Sequence, residues 1–151
     1  RRGLSEYVED TKKKLESLSN LLTKIRLFRE LIDKSLVTKD VQINRQNGID
    51  VLYNNNNIAL EKLSSGEQHQ LVLFFEMLFE IRPNSLILID EPELSLHVAW
   101  QKKFISELMK IIELNKFDVI LATHSPQLVS RWDDLVVELG DVDDQDAAAD
   151  T

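Results

Sequence analysis

The sequence predicts an α/β domain with a parallel sheet at its core, on the basis of two observations. Helix-like and strand-like segments alternate between residues 67 and 139, in the order helix, strand, helix, strand, helix, strand. Two of the strand-like segments, LILI (86–89) and DVILAT (118–123), are almost wholly aliphatic, which is typical of strands buried in parallel sheets. Since such sheets bind ligands beyond the carboxyl ends of their strands, a site is expected after these two segments.

Composition limits the class of protein. A chain of 151 residues with 43% hydrophobic residues is long enough to bury one modest core. The absence of cysteine excludes a disulfide framework and a thiolate metal site. The net charge of −8 disfavours broad binding of the whole chain to nucleic-acid phosphates. There is no signal peptide and no apolar run of about 18 residues, so we expect a cytoplasmic protein without a membrane partner.

Residues 1–36 are predicted to form a helical arm. Apolar residues recur at close to a three–four spacing, which Thr11 and Arg29 interrupt. The pattern fits one long helix or a helical hairpin. The segment is either part of a coiled coil or an ordinary amphipathic helix that packs on the rest of the domain. The apolar positions are Leu4, Val8, Leu15, Leu18, Leu22, Ile25, Ile32 and Leu36.

The next segment, 41–53, predicts a β-hairpin. Apolar residues alternate with polar ones on both sides of Asn47-Gly48, two residues that tolerate positive φ and favour a two-residue turn. The four asparagines at 54–57 predict a further turn.

The elements of the predicted sheet domain follow. Residues 67–81 are apolar on most faces and predict a largely buried helix, whereas 98–115 predict an amphipathic helix. Ser125 and Pro126 suit the N-cap and the first position of a short helix. The run LVVEL (135–139) predicts a third strand.

Three carboxylates, Asp90, Glu91 and Glu93, crowd the end of the LILI strand. A divalent cation there would offset their repulsion, and hard oxygen ligands suit Mg²⁺, which keeps several waters and binds substrate phosphates. This pattern is what a nucleotide-hydrolysing site needs, with Asp90 holding the metal and Glu91 polarising the attacking water. The alternative is that the acids merely end a strand at the surface.

Two further motifs flank these acids. In KLSSGEQ (62–68), Ser64 and Glu67 form a capping box, and a helix N-terminus behind small residues offers backbone N–H groups to a phosphate. Gly66 would allow a close approach. In LATHSP (121–126), His124 follows a strand and is placed to donate a hydrogen bond to a terminal phosphate.

The order of these three motifs resembles the ABC-type ATPases across about half of the chain, from residue 60 to 139. The resemblance assigns the signature motif to Leu63, Ser64, Ser65, Gly66 and Glu67. It assigns the Walker B aspartate to Asp90, the catalytic glutamate to Glu91 and the switch histidine to His124. It assigns the D-loop to Glu93, Leu94, Ser95, Leu96 and His97. We refer to residues 63–67 and 93–97 by these two names below.

The resemblance implies a homodimer that sandwiches ATP and Mg²⁺, with the signature motif contacting the γ-phosphate held by the opposite subunit. Ser65 and Glu67 replace the Gly and Gln of transporters, and His97 replaces their D-loop aspartate. These departures favour the RecF, SMC and OLD-like branch, especially the Septu and retron-associated ATPases. That branch implies a nuclease or nucleic-acid-processing partner in phage defence or DNA repair. The alternatives are a transporter subunit and a non-catalytic dimerisation module. His69 is expected to be packed or hydrogen-bonded.

The phosphate-binding P-loop, G-x-x-x-x-G-K-[ST], does not occur in the sequence. Residues 37–140 therefore resemble the C-terminal part of an ABC-type P-loop NTPase domain. We expect an N-terminal half that precedes residue 1, or lies on another polypeptide, to supply the P-loop. The chain alone should then bind ATP poorly and be inactive. Residues 141–151 contain five aspartates and no basic residue, and are expected to form a disordered acidic tail.

Overall fold

The computed structural model describes residues 2–36 and 38–139, so the predicted tail at 141–151 lies outside the described residues. Among the described residues, no helix combines the length and the apolar character needed to cross a membrane. The helices and strands are α1 (Arg2–Ser35), β1 (Asp40–Asn44), β2 (Gly48–Tyr53), β3 (Asn56–Ile58), α2 (Ser65–Phe75), β4 (Leu86–Asp90), α3 (Val98–Asn115), β5 (Asp118–Ala122) and α4 (Pro126–Val129).

The hairpin forms as predicted, but its turn is not the predicted two-residue turn. Asn44 pairs with Gly48, so three residues connect β1 to β2. The Asn44 side chain accepts hydrogen bonds from the backbone N–H groups of Gln46 and Asn47, at 3.0 and 2.8 Å, which stabilises the longer loop. Gly48 then takes a φ of 79°, a conformation that glycine adopts without strain.

The asparagine run contains a turn and the start of a strand that the sequence did not predict. Asn54 and Asn55 both have positive φ, 51° and 62°, which is the geometry of a tight hairpin turn. Asn56 and Asn57 belong to β3, which pairs with β2 in an antiparallel sheet of order β1-β2-β3. Asparagine is uncommon in strands, so composition concealed this short strand.

Strands β4 and β5 form the predicted parallel pair, and α3 connects them. Asp90 lies opposite Ala122 in the register, so the two strands end at the same edge. Residues that follow β4 and β5 are therefore neighbours in space, although more than 30 residues separate Glu91 from His124 along the chain.

One hydrophobic core joins the elements. It lies between the last third of α1, the hairpin, α2 and α3, and α4 covers part of it. The largest fully buried side chains belong to Phe28, Phe74, Phe104, Leu31, Ile32, Leu36, Met77, Leu78, Ile111, Val41 and Val51. A buried carboxylate, Glu107, fastens α3 to α1 through Lys34, at 3.1 Å.

The helix predicted at 67–81 is less buried and less regular than expected. Its last turn, Glu76–Glu80, is a wider π-helical turn, and the carbonyls of Met77 and Leu78 accept hydrogen bonds from the Asn115 side chain. Val72 is 47% exposed and Phe75 is 39% exposed, although the Phe75 ring packs edge-on against Phe28 with centroids 6.1 Å apart, so the described residues cover this face of the helix only in part.

The strands also differ from the prediction. Leu88 of β4 is 72% exposed and Ile120 of β5 is 57% exposed, so the strands are not buried on both faces. The predicted third strand at 135–139 does not form; a short 3₁₀ turn, Asp133–Leu135, precedes irregular chain. A strand needs a neighbour for its backbone hydrogen bonds, and the described residues offer this segment none. The parallel β4–β5 pair, joined by α3, confirms the predicted α/β fold class.

Candidate active site

The turn after β4 carries the two acids that the sequence assigned to metal binding and catalysis. Asp90 is the last, exposed residue of β4. The backbone N–H of Glu91 donates to the Ala122 carbonyl at 2.9 Å, which extends the parallel ladder by one bond. Glu91 then adopts a left-handed conformation with φ 45° and ψ 51°, a strained state that costs a non-glycine residue about 1–3 kcal/mol.

The same turn brings Glu91 against the loop after β5. The Oε1 atom of Glu91 lies 3.2 Å from Nε2 of His124. The Glu91 side chain is 26% exposed and that of His124 is 94% exposed, so the imidazole projects into solvent from the edge of the sheet. A carboxylate and an imidazole in this arrangement are able to orient and deprotonate a water molecule.

A second carboxylate changes the charge balance of the turn. Partial burial raises the pKa of Glu91, and the neighbouring Glu93 raises it further, while His124 opposes the shift. Burial would also raise the pKa of Glu93, but hydrogen bonds from Thr123 and from the His124 backbone outweigh it and lower that pKa. Within this coupled pair Glu91 is therefore the stronger base, which suits a residue that accepts a proton from water.

The signature turn has the capping box that the sequence predicted. The Glu67 N–H donates to the Ser64 hydroxyl at 3.3 Å, and the Ser64 N–H donates to the Glu67 carboxylate at 2.9 Å. Ser64 and Ser65 are exposed, whereas Leu63 is buried and anchors the turn to the core. Lys39 pairs with Glu67 at 2.5 Å, an ion pair that no sequence pattern predicts.

Helix α2, which begins within the signature motif, is hydrogen-bonded directly to Ser95 of the D-loop. The Gln70 side chain donates to the Ser95 carbonyl at 2.5 Å, and Nδ1 of His69 lies 2.6 Å from the Ser95 hydroxyl. A Cβ atom on Gly66 would lie 3.1 Å from that same carbonyl oxygen. Gly66 therefore has a close neighbour within this chain. His69 is hydrogen-bonded, as expected, but exposed.

The D-loop is a 3₁₀ turn, Pro92–Ser95, followed by the N-terminus of α3. Leu94 projects from it with 83% of its surface exposed, while Leu96 is buried. His97 caps α3, since its ring nitrogen accepts a hydrogen bond from the Ala99 N–H at 3.3 Å.

The predicted Mg²⁺ ligand, Asp90, is a single exposed carboxylate rather than part of a cage. Within residues 2–36 and 38–139 no three acidic or histidine side chains form a group that would hold a metal ion. Asp90 is exposed at the strand end, which suits an ion that keeps its waters and binds phosphate oxygens. A cavity of about 440 Å³ between α2 and β4 touches Asp90, but Glu91, His124 and Ser64 do not line it. This cavity therefore does not coincide with the candidate residues after β4 and β5.

Three contributors were missed by the sequence analysis, because a polar residue does not reveal its distant partner. Thr123 bonds to Glu93, Gln101 bonds to both strand-end loops, and Lys39 pairs with the signature glutamate. Thr123 carried a signal, since it immediately precedes the candidate histidine at the end of a strand.

The comparisons with known proteins agree with this architecture. Residues 2–129 match the AAA ATPase domain family. The chain is 32% identical to the "Retron Ec83 probable ATPase" of Escherichia coli, over 83% of this chain and 28% of that protein. It is 31% identical to "Protein ea59" of Escherichia phage lambda, over 77% of this chain and 22% of that protein. The chain thus spans about a quarter of the length of these curated relatives.

Two solved structures share the fold at low identity. The Smc head bound to the C-winged helix domain of ScpA matches 69% of this chain and 35% of its own, with 20% identity and a TM-score of 0.51. The Smc head domain with an extended coiled coil, bound to the C-terminal domain of ScpA from Pyrococcus furiosus, matches 83% and 34%, with 17% identity and a TM-score of 0.51.

Proposed function

The chain belongs to the AAA ATPase domain family, and from this premise we propose that it is the catalytic C-terminal part of an ATPase that dimerises around ATP. The observation that carries the proposal is the 3.2 Å contact between Glu91 and His124 at the shared edge of β4 and β5. Asp90 would hold Mg²⁺ at the same edge, Glu91 would activate the attacking water, and His124 would donate to the terminal phosphate.

The proposed dimerisation is supported by the position of the signature motif. The exposed N-terminus of α2 offers backbone N–H groups at Ser65 and Gly66, which suit a phosphate. In the proposed dimer the signature motif serves the ATP of the partner subunit. The exposed Leu94 at the tip of the D-loop supports a contact surface close to that motif. A P-loop outside residues 1–151 supplies the remaining phosphate contacts, so this chain alone should bind ATP weakly and turn it over poorly.

Residues 1–36 act as an arm in this proposal. The helix is continuous, and its first two thirds expose Leu4, Leu15, Leu18 and Leu22 in the three–four spacing of a coiled coil. Its last third packs into the core, so a movement of the arm would be transmitted to the ATPase domain.

The biological role that we propose is phage defence, in which ATP hydrolysis drives a nuclease or DNA-processing partner. The resemblance to retron-associated ATPases supports this role, and one relative is named as the probable ATPase of a retron. A DNA-repair function is the closest alternative. A transporter subunit is disfavoured by His97 in place of the usual D-loop aspartate.

The test is ATP turnover by the intact protein. We expect Glu91→Gln to lower kcat by about 100-fold or more while ATP still binds, because the water loses its base. Equal turnover by wild type and Glu91→Gln would contradict catalysis at this site and favour a non-catalytic assembly module. Stimulation of the wild-type rate by DNA, with no response to lipid vesicles, is the expected partner response.

A further inference from the structure

Glu93 makes contacts that its position in the D-loop does not explain. Its Oε1 atom accepts a hydrogen bond from the Thr123 hydroxyl at 2.5 Å and another from the His124 backbone N–H at 3.0 Å. Both donors belong to the loop after β5, about 30 residues away along the chain. One carboxylate oxygen thus ties the turn after β4 to the loop that carries the switch histidine.

The second carboxylate oxygen of Glu93 lies in an unfavourable environment. Its Oε2 atom is buried and has no hydrogen-bond donor among the described residues. Glu93 also lies within side-chain hydrogen-bond reach of Glu91, so its unpartnered oxygen is unfavourable when both acids are ionised. Buried polar atoms are usually hydrogen-bonded, so an exception beside a reactive group indicates a functional requirement.

The tie extends through three consecutive residues. The Thr123 hydroxyl, which donates to Glu93, accepts a hydrogen bond from the Ser125 N–H at 3.0 Å. The Ser125 hydroxyl donates to Gln101 at 3.2 Å, and the Gln101 amide donates to the Glu93 carbonyl at 3.3 Å. The loop carrying His124 is therefore fixed to the D-loop from both sides, in a ring of bonds that begins and ends at Glu93.

The need for such a tie is clear from the exposure of His124. Its side chain is 94% exposed, and the polar contact of its ring among the described residues is with Glu91. Solvent does not hold an imidazole in one orientation, so its position depends on the backbone that carries it. Glu93 binds that backbone directly.

We propose that Glu93 is a positioning residue, which holds the His124 backbone so that the imidazole stays within reach of Glu91 and the bound phosphate. This inference rests on the proposed ATPase function. Glu93 itself touches neither substrate nor the attacking water. Its loss should therefore lower kcat and leave the affinity for ATP nearly unchanged.

The experiment compares four variants of the intact protein by steady-state ATP hydrolysis and thermal unfolding. We expect Glu93→Ala to lower kcat by about 10- to 100-fold with a KM for ATP within about 3-fold of wild type, as for other residues that orient a reactive group. Glu93→Gln keeps an oxygen at the same place and should recover most of the rate. Thr123→Val removes one donor at nearly constant shape and should lower kcat less than Glu93→Ala.

The fourth variant, Glu91→Gln, separates the two proposals. If wild type and Glu91→Gln hydrolyse ATP equally, the proposed function fails. If Glu91→Gln is inactive while Glu93→Ala and Thr123→Val keep the wild-type kcat, the positioning role is wrong and the proposed function stands. If Glu93→Gln is as slow as Glu93→Ala, the charge rather than the tie matters, which also overturns the proposal. Should Glu93→Ala fail to fold, the kcat of Thr123→Val decides.

Discussion

Gly66 lies against the backbone of the D-loop, and this contact restricts what the position accepts. A Cβ atom there would lie 3.1 Å from the Ser95 carbonyl oxygen, which also accepts the Gln70 hydrogen bond. We predict that Gly66→Ala lowers the free energy of unfolding by about 1–2 kcal/mol, because the carbonyl must move. Gly3→Ala is the matched control, since nothing lies within 4 Å of its Cβ position. Thermal unfolding measures both, and equal stability of the two variants would refute the packing argument.

Glu67 gives a prediction for pH. Partial burial would raise its pKa, but the bonds with Lys39 and Ser64 outweigh burial and hold the pKa below its ordinary value of 4.5. A depressed carboxyl pKa stabilises the fold above the unfolded-state value, and this stability is lost as pH falls through the folded-state value. Glu67→Gln, which can still cap the helix, should therefore cost about 1 kcal/mol at pH 7 and progressively less as pH falls through the depressed pKa of Glu67.

The control for Glu67 is Glu9→Gln. Glu9 pairs with Lys13 at 3.5 Å, but both side chains are about 70% exposed, so their interaction should contribute little. Denaturant unfolding at pH 7 and at a series of acidic pH values below 4.5 provides the comparison. A Glu67→Gln defect that does not change with pH would show that shape, not charge, is what matters.

At the scale of single residues, the sequence was informative where a motif fixes a strand end. Glu91 and His124 were both placed after aliphatic strands, and parallel pairing brings strand ends together. The bonds from Thr123 to Glu93 and from Lys39 to Glu67 were not predictable in this way. They join residues far apart in sequence, and common polar residue types carry no signal of their partner.

Helix α1 consists of an exposed part and a packed part, and this difference is testable. Leu18 is 57% exposed, whereas Leu31 is completely buried. In the 151-residue chain Leu31→Ala should cost about 2–5 kcal/mol, since it leaves a cavity, and Leu18→Ala should stay within about 0.5 kcal/mol of wild type. Chemical denaturation measures both. If the two variants lost comparable unfolding free energy, the part of α1 that contains Leu18 would have to be covered in this chain.

Strands and helices were predicted with unequal success for a physical reason. The boundaries of α3 at 98–115 follow its own amphipathic pattern, so local sequence suffices. Strand burial depends on neighbouring strands, which is why LILI and DVILAT form the expected pair yet leave Leu88 and Ile120 exposed. The run at 135–139 has strand character but no partner strand among the described residues, so its pairing is not decided locally.

At the scale of the molecule, two exposed apolar surfaces are available for contacts with other proteins or domains. Leu86, Leu88 and Ile120 expose one apolar part of the sheet, and the leucines of α1 expose another. Apolar patches of this kind mark surfaces for association. In the proposed dimer the candidate site is likewise shared, with Asp90, Glu91 and His124 on one edge and the exposed Ser64 facing the partner subunit.

The measurement that tests this shared site most directly is the mass of the intact Glu91→Gln protein in solution, with and without ATP. Because hydrolysis is blocked, we predict that ATP converts monomers into dimers. Adding Ser64→Arg should leave ATP bound but prevent the dimer, since the arginine fills the space of the partner's phosphate contact. The account would be contradicted if the mass of the Glu91→Gln protein did not change on adding ATP. It would also be contradicted if the double variant dimerised as fully as Glu91→Gln alone.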